Sequence, residues 1–238
     1  MNFKNQVVIV TGASSGIGKA CAEAFAKKGA KVALAARRID RLKSIEKNLK
    51  ANGFDAESFL CDVRDEKQIK TLANQVQKKL GHCDVLVNNA GISLINPFIK
   101  STTSDLDRVL ETNLRGLMLL TREVLPSMIK RKTGAIINIS SMAGKVGLEN
   151  LAIYCASKFA VNGFSLALLE EVRKHNVKVS HICPGMVDTE IHGELHKDKR
   201  RDMIQPEEVA EAVLLAASPS QTSAISEITI RPRRPLDF

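Results

Sequence analysis

Thr11-Gly12-Ala13-Ser14-Ser15-Gly16-Ile17-Gly18 follows the short aliphatic run Val7-Val8-Ile9-Val10 and leads into an amphipathic stretch. Glycines let a backbone turn tightly and approach a pyrophosphate, whose charge suits the N-terminus of the helix that follows. The spacing is G-x-x-x-G-x-G rather than G-x-G-x-x-G. A P-loop is the competing reading, because Gly18-Lys19 looks like its tail. That motif needs glycine where Ala13 stands and a hydroxyl residue where Ala20 stands, so it fails twice. Placed between a first strand and a first helix, the loop reads as a dinucleotide site. Gly12, Ser14, Ser15, Gly16, Ile17 and Gly18 are then the expected cofactor contacts.

Outward from this loop the same alternation continues almost to the end of the chain. Strand patterns fall at 6–11, 31–36, 56–60, 85–88, 135–139, 177–183 and 227–230. Helical patterns lie between them at 17–28, 41–50, 66–80, 104–130, 150–175 and 206–217. Strands alternating with helices argue for βαβ units and an α/β fold with a parallel sheet covered on both faces. Hydrophobic content of 44% with only 4% aromatics gives an aliphatic core suited to such a sheet. No Pro/Gly/Ser-rich linker interrupts the 238 residues, so they read as a single domain.

The formal charge of +9 fits a phosphate-rich ligand. Nucleic acid is not expected as a partner, since neither a recognition module nor aromatic interleaving is found. The five cysteines are scattered, odd in number and without zinc-ligand spacing, so no metal is expected and reduced thiols in the cytoplasm are. No signal-like segment or apolar run of membrane-spanning length is evident, so no membrane association is expected.

Chemistry gathers at the expected carboxyl ends of the strands, where open α/β sheets bind ligands. The second strand ends Ala35-Ala36-Arg37-Arg38, without the acid that takes ribose hydroxyls in an NAD site. Arginine there suits a 2′-phosphate, with Arg37 favoured and Arg38 beside it. Asp62-Val63 and Asn88-Asn89-Ala90-Gly91 follow the third and fourth strands. Asn113 stands inside a long helical pattern, where asparagine has poor propensity and can bend the helix or hold a water. Ser140-Ser141 ends the fifth strand, and Pro184-Gly185-Met186-Val187-Asp188-Thr189 closes the sixth. Between them lies Tyr154-Cys155-Ala156-Ser157-Lys158, which holds the chain's only tyrosine. A lysine four residues on shares its helix face and can lower the phenol pKa from its usual value near ~10.

Taken in order, T-G-x-x-x-G-x-G, N-N-A-G, N, S and Y-x-x-x-K resemble the short-chain dehydrogenase/reductase family, from about residue 4 to 189. The resemblance implies a Rossmann-type doubly wound fold with seven parallel strands in one domain, and a homodimer or homotetramer. It implies that Asn113, Ser141, Tyr154 and Lys158 form a catalytic tetrad. By the family's spacing Ser141 is chosen over Ser140. Asp62 and Val63 would lie near adenine, Asn89, Ala90 and Gly91 near the adenosine ribose, and Pro184, Gly185, Val187 and Thr189 near the nicotinamide. In the same scheme Lys158 binds the nicotinamide ribose and Asn113 holds a water linking Lys158 to solvent. The expected activity is NADP(H)-dependent hydride transfer to or from a small carbonyl or hydroxy compound.

The ending 226–232 lacks the Asp-Gly-Gly found in many 3-oxoacyl-carrier-protein reductases and is closer to the branch of 3-hydroxy-acid and serine dehydrogenases. A hydroxy-acid-like substrate is therefore expected, with the carrier-protein reductase as the alternative and a silent NADP-sensing protein behind both. The loop 190–203 is expected to cover the substrate. Its Lys197, Lys199, Arg200 and Arg201 are candidates to attract an anion, and His192 and His196 are read as solvated.

Overall fold

In the computed structural model, which describes residues 1–192, 197–218, 220 and 222–234, the aliphatic runs pair into one sheet of seven parallel strands. These are β1 (Val7–Thr11), β2 (Lys31–Ala36), β3 (Ala56–Leu60), β4 (Cys83–Asn88), β5 (Gly134–Ile139), β6 (Val177–Pro184) and β7 (Glu227–Ile230). Their order across the sheet is β3-β2-β1-β4-β5-β6-β7. The chain therefore winds outward in both directions from β1, and the crevice between the carboxyl ends of β1 and β4 is the switch point at which such sheets bind ligands.

The central strands are continuous apolar runs because both of their faces are covered. Val8 and Val10 face a core built with α1 (Gly16–Lys27), α2 (Ile39–Ala51) and α7 (Pro206–Ala217), through Phe25, Leu42 and Val213. Val7 and Ile9 face the opposite core, made with α3 (Glu66–Lys79), α5 (Gly116–Arg131) and α6 (Ala152–Val172), through Leu72, Leu120 and Leu168. A buried polar chain crosses this second layer. Asn88 Nδ2 donates to Thr121 Oγ1 at 3.0 Å and to Asn138 Oδ1 at 2.9 Å, and Asn138 Nδ2 donates to Ser165 Oγ at 2.9 Å. This fixes β4 and β5 against α5 and α6, so the first asparagine of the N-N-A-G stretch is a core residue.

Two helices differ from the sequence reading. The helix expected over 104–130 is α4 (Thr103–Leu110), a π-turn at Glu111–Arg115, and then α5. The extra residue of such a turn re-aims side chains, and Asn113 is the one re-aimed (below). The helix expected from 150 starts at Ala152, because Asn150 adopts a left-handed conformation with φ +60. From Ala152 to His175 it is long and apolar enough by composition to cross a membrane, contrary to expectation. In this fold its apolarity is that of a core helix, with Val161, Leu168 and Val172 buried in the layer against the sheet.

Gly116, the first residue of α5, touches the end of the strand edge: a Cβ placed there would lie 2.4 Å from the Val63 carbonyl oxygen. Alanine is the better helix former by about 1 kcal/mol. Even so, Gly116→Ala is expected to destabilise the protein by roughly 1–3 kcal/mol through overpacking. Urea unfolding would read this as a lower midpoint; an unchanged or higher midpoint contradicts the contact.

Candidate active site

The cleft begins at the glycine loop. Thr11 Oγ1, at the end of β1, accepts from the backbone N–H of Asn89 and of Ala90, both at 3.0 Å, and so ties the β1 loop to the β4 loop. Asn89 completes the tie by donating to the Thr11 carbonyl at 2.9 Å. Side chains would wreck this junction: a Cβ on Gly12 would stand 2.7 Å from Asn89 Nδ2, and one on Gly18 2.4 Å from the same atom. Gly12 and Gly16 also hold φ of +66 and +52, a region natural for glycine. Helix α1 then starts with Ser15 as a cap residue that makes no side-chain cap hydrogen bond, and with no acid in the first turn. Its N-terminus is thus left suited to an external anion.

Arg37 and Arg38 line the same cleft. Arg38 donates to Ser14 Oγ at 3.1 Å, to Ser15 Oγ at 2.6 Å and to Glu190 Oε2 at 2.9 Å, so it is no free surface charge. Arg41 shares Glu190 at 2.6 Å, and the two guanidiniums hold the Glu190 carboxyl below its ordinary range. The Arg37 side chain makes no hydrogen bond among the described residues, and its charge acts on Asp62. Asp62 itself is gripped by Arg64, whose Nε and Nη2 donate to it at 3.0 and 2.6 Å, and this lowers its pKa. Neither acid stands at the end of β2, where ribose hydroxyls would be bound.

At the other end of the cleft, α6 delivers Tyr154 and Lys158 beside Ser141. The Ser141 hydroxyl stands beside the Tyr154 phenol and favours its ionised form, while the Ser141 oxygen accepts from Ala143 N at 3.1 Å to start a 3-10 turn. Ser140 Oγ donates to the Lys158 carbonyl at 3.3 Å. Lys158 Nζ donates to the Ile139 carbonyl at 2.8 Å and sits 5.7 Å from the Tyr154 ring centroid. No carboxylate among the described residues pairs with it. Burial therefore dominates both groups: it pushes the Tyr154 phenol up, against the opposing influence of Ser141, and pushes the Lys158 ammonium down to about 8. The phenol depressed by its lysine, expected from the spacing, is not found in this protein-only arrangement, because a ring closed off from water disfavours phenolate.

Asn113 lies behind this wall, 1% exposed. Its side chain clamps the Ile92 peptide, accepting from Ile92 N at 2.8 Å and donating to Ile92 O at 2.9 Å, and it also donates to Ser157 Oγ at 3.1 Å. Among the described residues its contacts are thus those of a brace. Gly18 likewise supports the cleft without lining it. The other expected residues meet in one cleft: Gly12, Ser14, Ser15, Gly16 and Ile17; Asp62, Val63, Asn89, Ala90 and Gly91; Ser141, Tyr154 and Lys158; Pro184, Gly185, Val187 and Thr189. The sequence reading missed Glu190, Ser157 and the apolar wall residues, whose types carry no chemical signal by themselves. His196 and the His192, Lys197 and Lys199 side chains lie outside what the structure describes.

Residues 6–200 match the family described as short chain dehydrogenase. The chain belongs to that family. Among curated short-chain relatives, an uncharacterized oxidoreductase of Staphylococcus saprophyticus is 34% identical over 98% of this chain and 99% of its own. A metagenomic short-chain oxidoreductase solved in complex with NADP superposes with a TM-score of 0.86 at 38% identity, covering 98% of this chain and 99% of that one. A variant of actinorhodin polyketide ketoreductase solved with NADPH gives 0.87 at 33%, with 95% of each chain covered.

Burial of Lys158 makes a stability statement. A lysine whose folded pKa lies below its unfolded value binds its proton more weakly when folded, so stability rises with pH between the two values. The cost is full below about pH 8 and is relieved as pH approaches the unfolded value of 10.5. Without cofactor, the wild-type protein is expected to gain about 2–4 kcal/mol on Lys158→Met between pH 7 and 10.5, at roughly 1.4 kcal/mol per pKa unit. Urea unfolding of both proteins across that range checks it; a constant difference contradicts a buried ammonium.

Proposed function

We propose that this short-chain dehydrogenase transfers hydride between NADP(H) and a carbonyl or secondary alcohol, running as a reductase when NADPH is abundant. The observation that carries the reading is the Ser141–Tyr154–Lys158 group at one end of a cleft whose other end is the glycine loop and two arginines. The cofactor fits that cleft. Glycines without room for a Cβ, the uncapped N-terminus of α1 and the arginines form a cradle for its phosphates. When bound, NADP(H) supplies the hydride.

The protein's own residues orient and protonate. Ser141 would hold the substrate oxygen by hydrogen bond, beside the Tyr154 phenol. Burial keeps that phenol protonated at neutral pH, which suits donation to the oxygen of a carbonyl. Lys158 is still mostly charged below about pH 8, so its ammonium can offset the phenolate that donation leaves. Asn113 braces the loop at Ile92 and the base of α6, and so holds this geometry.

NADPH is the proposed partner over NADH because β2 ends in Ala36-Arg37-Arg38 with no acid for ribose hydroxyls. The relatives bound to NADP and NADPH support the same choice.

Two outcomes test the reading. Tyr154→Phe keeps the ring and removes the proton, so turnover is expected to fall at least ~10²-fold with cofactor affinity retained. Reduction at near wild-type rate by this variant would end the assignment. Arg37→Ala is the cleaner arginine variant, since Arg38 also holds Ser14 and Ser15. Losing a charge-assisted bond of about 1.5–3 kcal/mol should raise KM for NADPH roughly tenfold to a hundredfold and leave that for NADH nearly unchanged. Equal efficiency with both cofactors in the unmodified protein refutes the preference.

A further inference from the structure

The cleft is electrostatically lopsided. Arg37 and Arg38 stand at the glycine-loop end, whereas Lys158 is the one cation lining the end marked by Ser141 and Tyr154 among the described residues. Lys158 is already committed to the Ile139 carbonyl. The walls of that end come from three segments next to the reactive side chains. Ile92 and Ile95 lie on the loop after β4, Leu148 and Leu151 on the loop entering α6, and Met186 and Ile191 on the segment after β6. All six are apolar.

The first two segments are tied together, with Asn96 N donating to the Asn150 carbonyl at 2.8 Å, so the apolar walls are held facing one cleft. Ile95 and Ile191 remain 53% and 43% exposed, apolar surface that a bound molecule would cover. Nearby charge is neutralised: Arg200 Nη1 lies 3.3 Å from Asp188, and Glu190 is taken by Arg38 and Arg41. Besides the committed Lys158, the polar side chains lining this end among the described residues are neutral, the hydroxyls of Ser93, Ser140, Ser141 and Tyr154.

Resting on the oxidoreductase reading above, we propose that the substrate is a ketone or aldehyde (or its alcohol) carried on an apolar or aromatic body without a carboxylate. A carboxylate in this vestibule would give up its water for aliphatic walls that offer, among the described residues, no uncommitted cation. An alkyl or aryl group would gain by covering Ile95 and Ile191. The walls thus argue against the hydroxy-acid-like substrate expected from the chain's ending.

The test uses the full chain with NADPH and pairs of ketones matched around the carbonyl: 4-phenylbutan-2-one against 4-oxopentanoate, and ethyl acetoacetate against acetoacetate. The uncharged member of each pair is expected to give at least about a tenfold higher kcat/KM, and from butanone to octan-2-one each added methylene should raise it about threefold. Binding is read separately, by ligand-observed NMR on Tyr154→Phe loaded with NADP, where phenylbutanone should bind and oxopentanoate should not. Ile95→Lys, at an exposed position, should narrow or reverse the preference between the members of the first pair. Carboxylates turned over as well as their partners, a flat alkanone series, or an unchanged preference in Ile95→Lys would each overturn the proposal. If phenylbutanone binds but nothing is reduced, the apolar site stands and the oxidoreductase reading fails. If nothing is reduced and nothing binds, the apolar site fails as well.

Discussion

The site depends on one side chain gripping one peptide. Asn113 satisfies both the N–H and the C=O of Ile92 and then reaches Ser157 on the first turns of α6. Backbone polar groups on a half-buried loop need partners, and no strand or helix neighbours the stretch after β4 to supply them. A regular helix would carry residue 113 past this position; the π-turn at Glu111–Arg115 shifts it into place. Three segments distant in the chain thereby share one junction. One bears the apolar wall at Ile92, one bears Tyr154 and Lys158, and one joins α4 to α5.

Desolvation governs the chemistry that this frame holds. Tyr154 and Lys158 are both removed from water, so each is biased toward its neutral form, the phenol upward and the ammonium downward to about 8. Spacing on a helix suggests a simpler relation, in which the lysine pulls the tyrosine down. Burial outweighs it because the ammonium is bonded to Ile139 O on the sheet side. A lysine left without a carboxylate is a cost to stability, and functional sites are where such costs are found. The two cleft ends also differ in charge. Arginines, hydroxyls and a helix N-terminus line one end and suit an anion, while aliphatic walls and neutral hydroxyls line the other.

Glu190 joins the two ends. It stands directly after Thr189, whose Cγ2 lies 3.0 Å from where a Gly16 side chain would begin, and it bridges Arg38 and Arg41 across the cleft. The segment after β6 is therefore anchored to Arg38, one of the two arginines proposed for the 2′-phosphate, and to Arg41 beside it. These pairs are about half exposed, so each is worth little in stability. Their interest is positional, since an incoming phosphate meets guanidiniums already ordered by a carboxylate.

Much of this was legible in the residues themselves. Val7–Thr11 followed by G-x-x-x-G-x-G could only be a strand, a turn and a helix, because glycine φ and apolar run length are local properties. The alternation of strands and helices likewise determined a parallel sheet, strand ends pointed to Arg37, Asn89 and Ser141, and the Tyr-x-x-x-Lys spacing pointed to Tyr154. Other features needed the third dimension. Asn88 and Asn89 are adjacent and chemically identical, yet β pleating sends one into the Thr121–Asn138 network and leaves the other in the cleft. No spacing rule marks the π-turn, because what makes it favourable is the distant Ile92 peptide. Nor could six scattered isoleucine, leucine and methionine residues be recognised as one wall, since apolar side chains look alike until packing decides which face the core and which face a substrate.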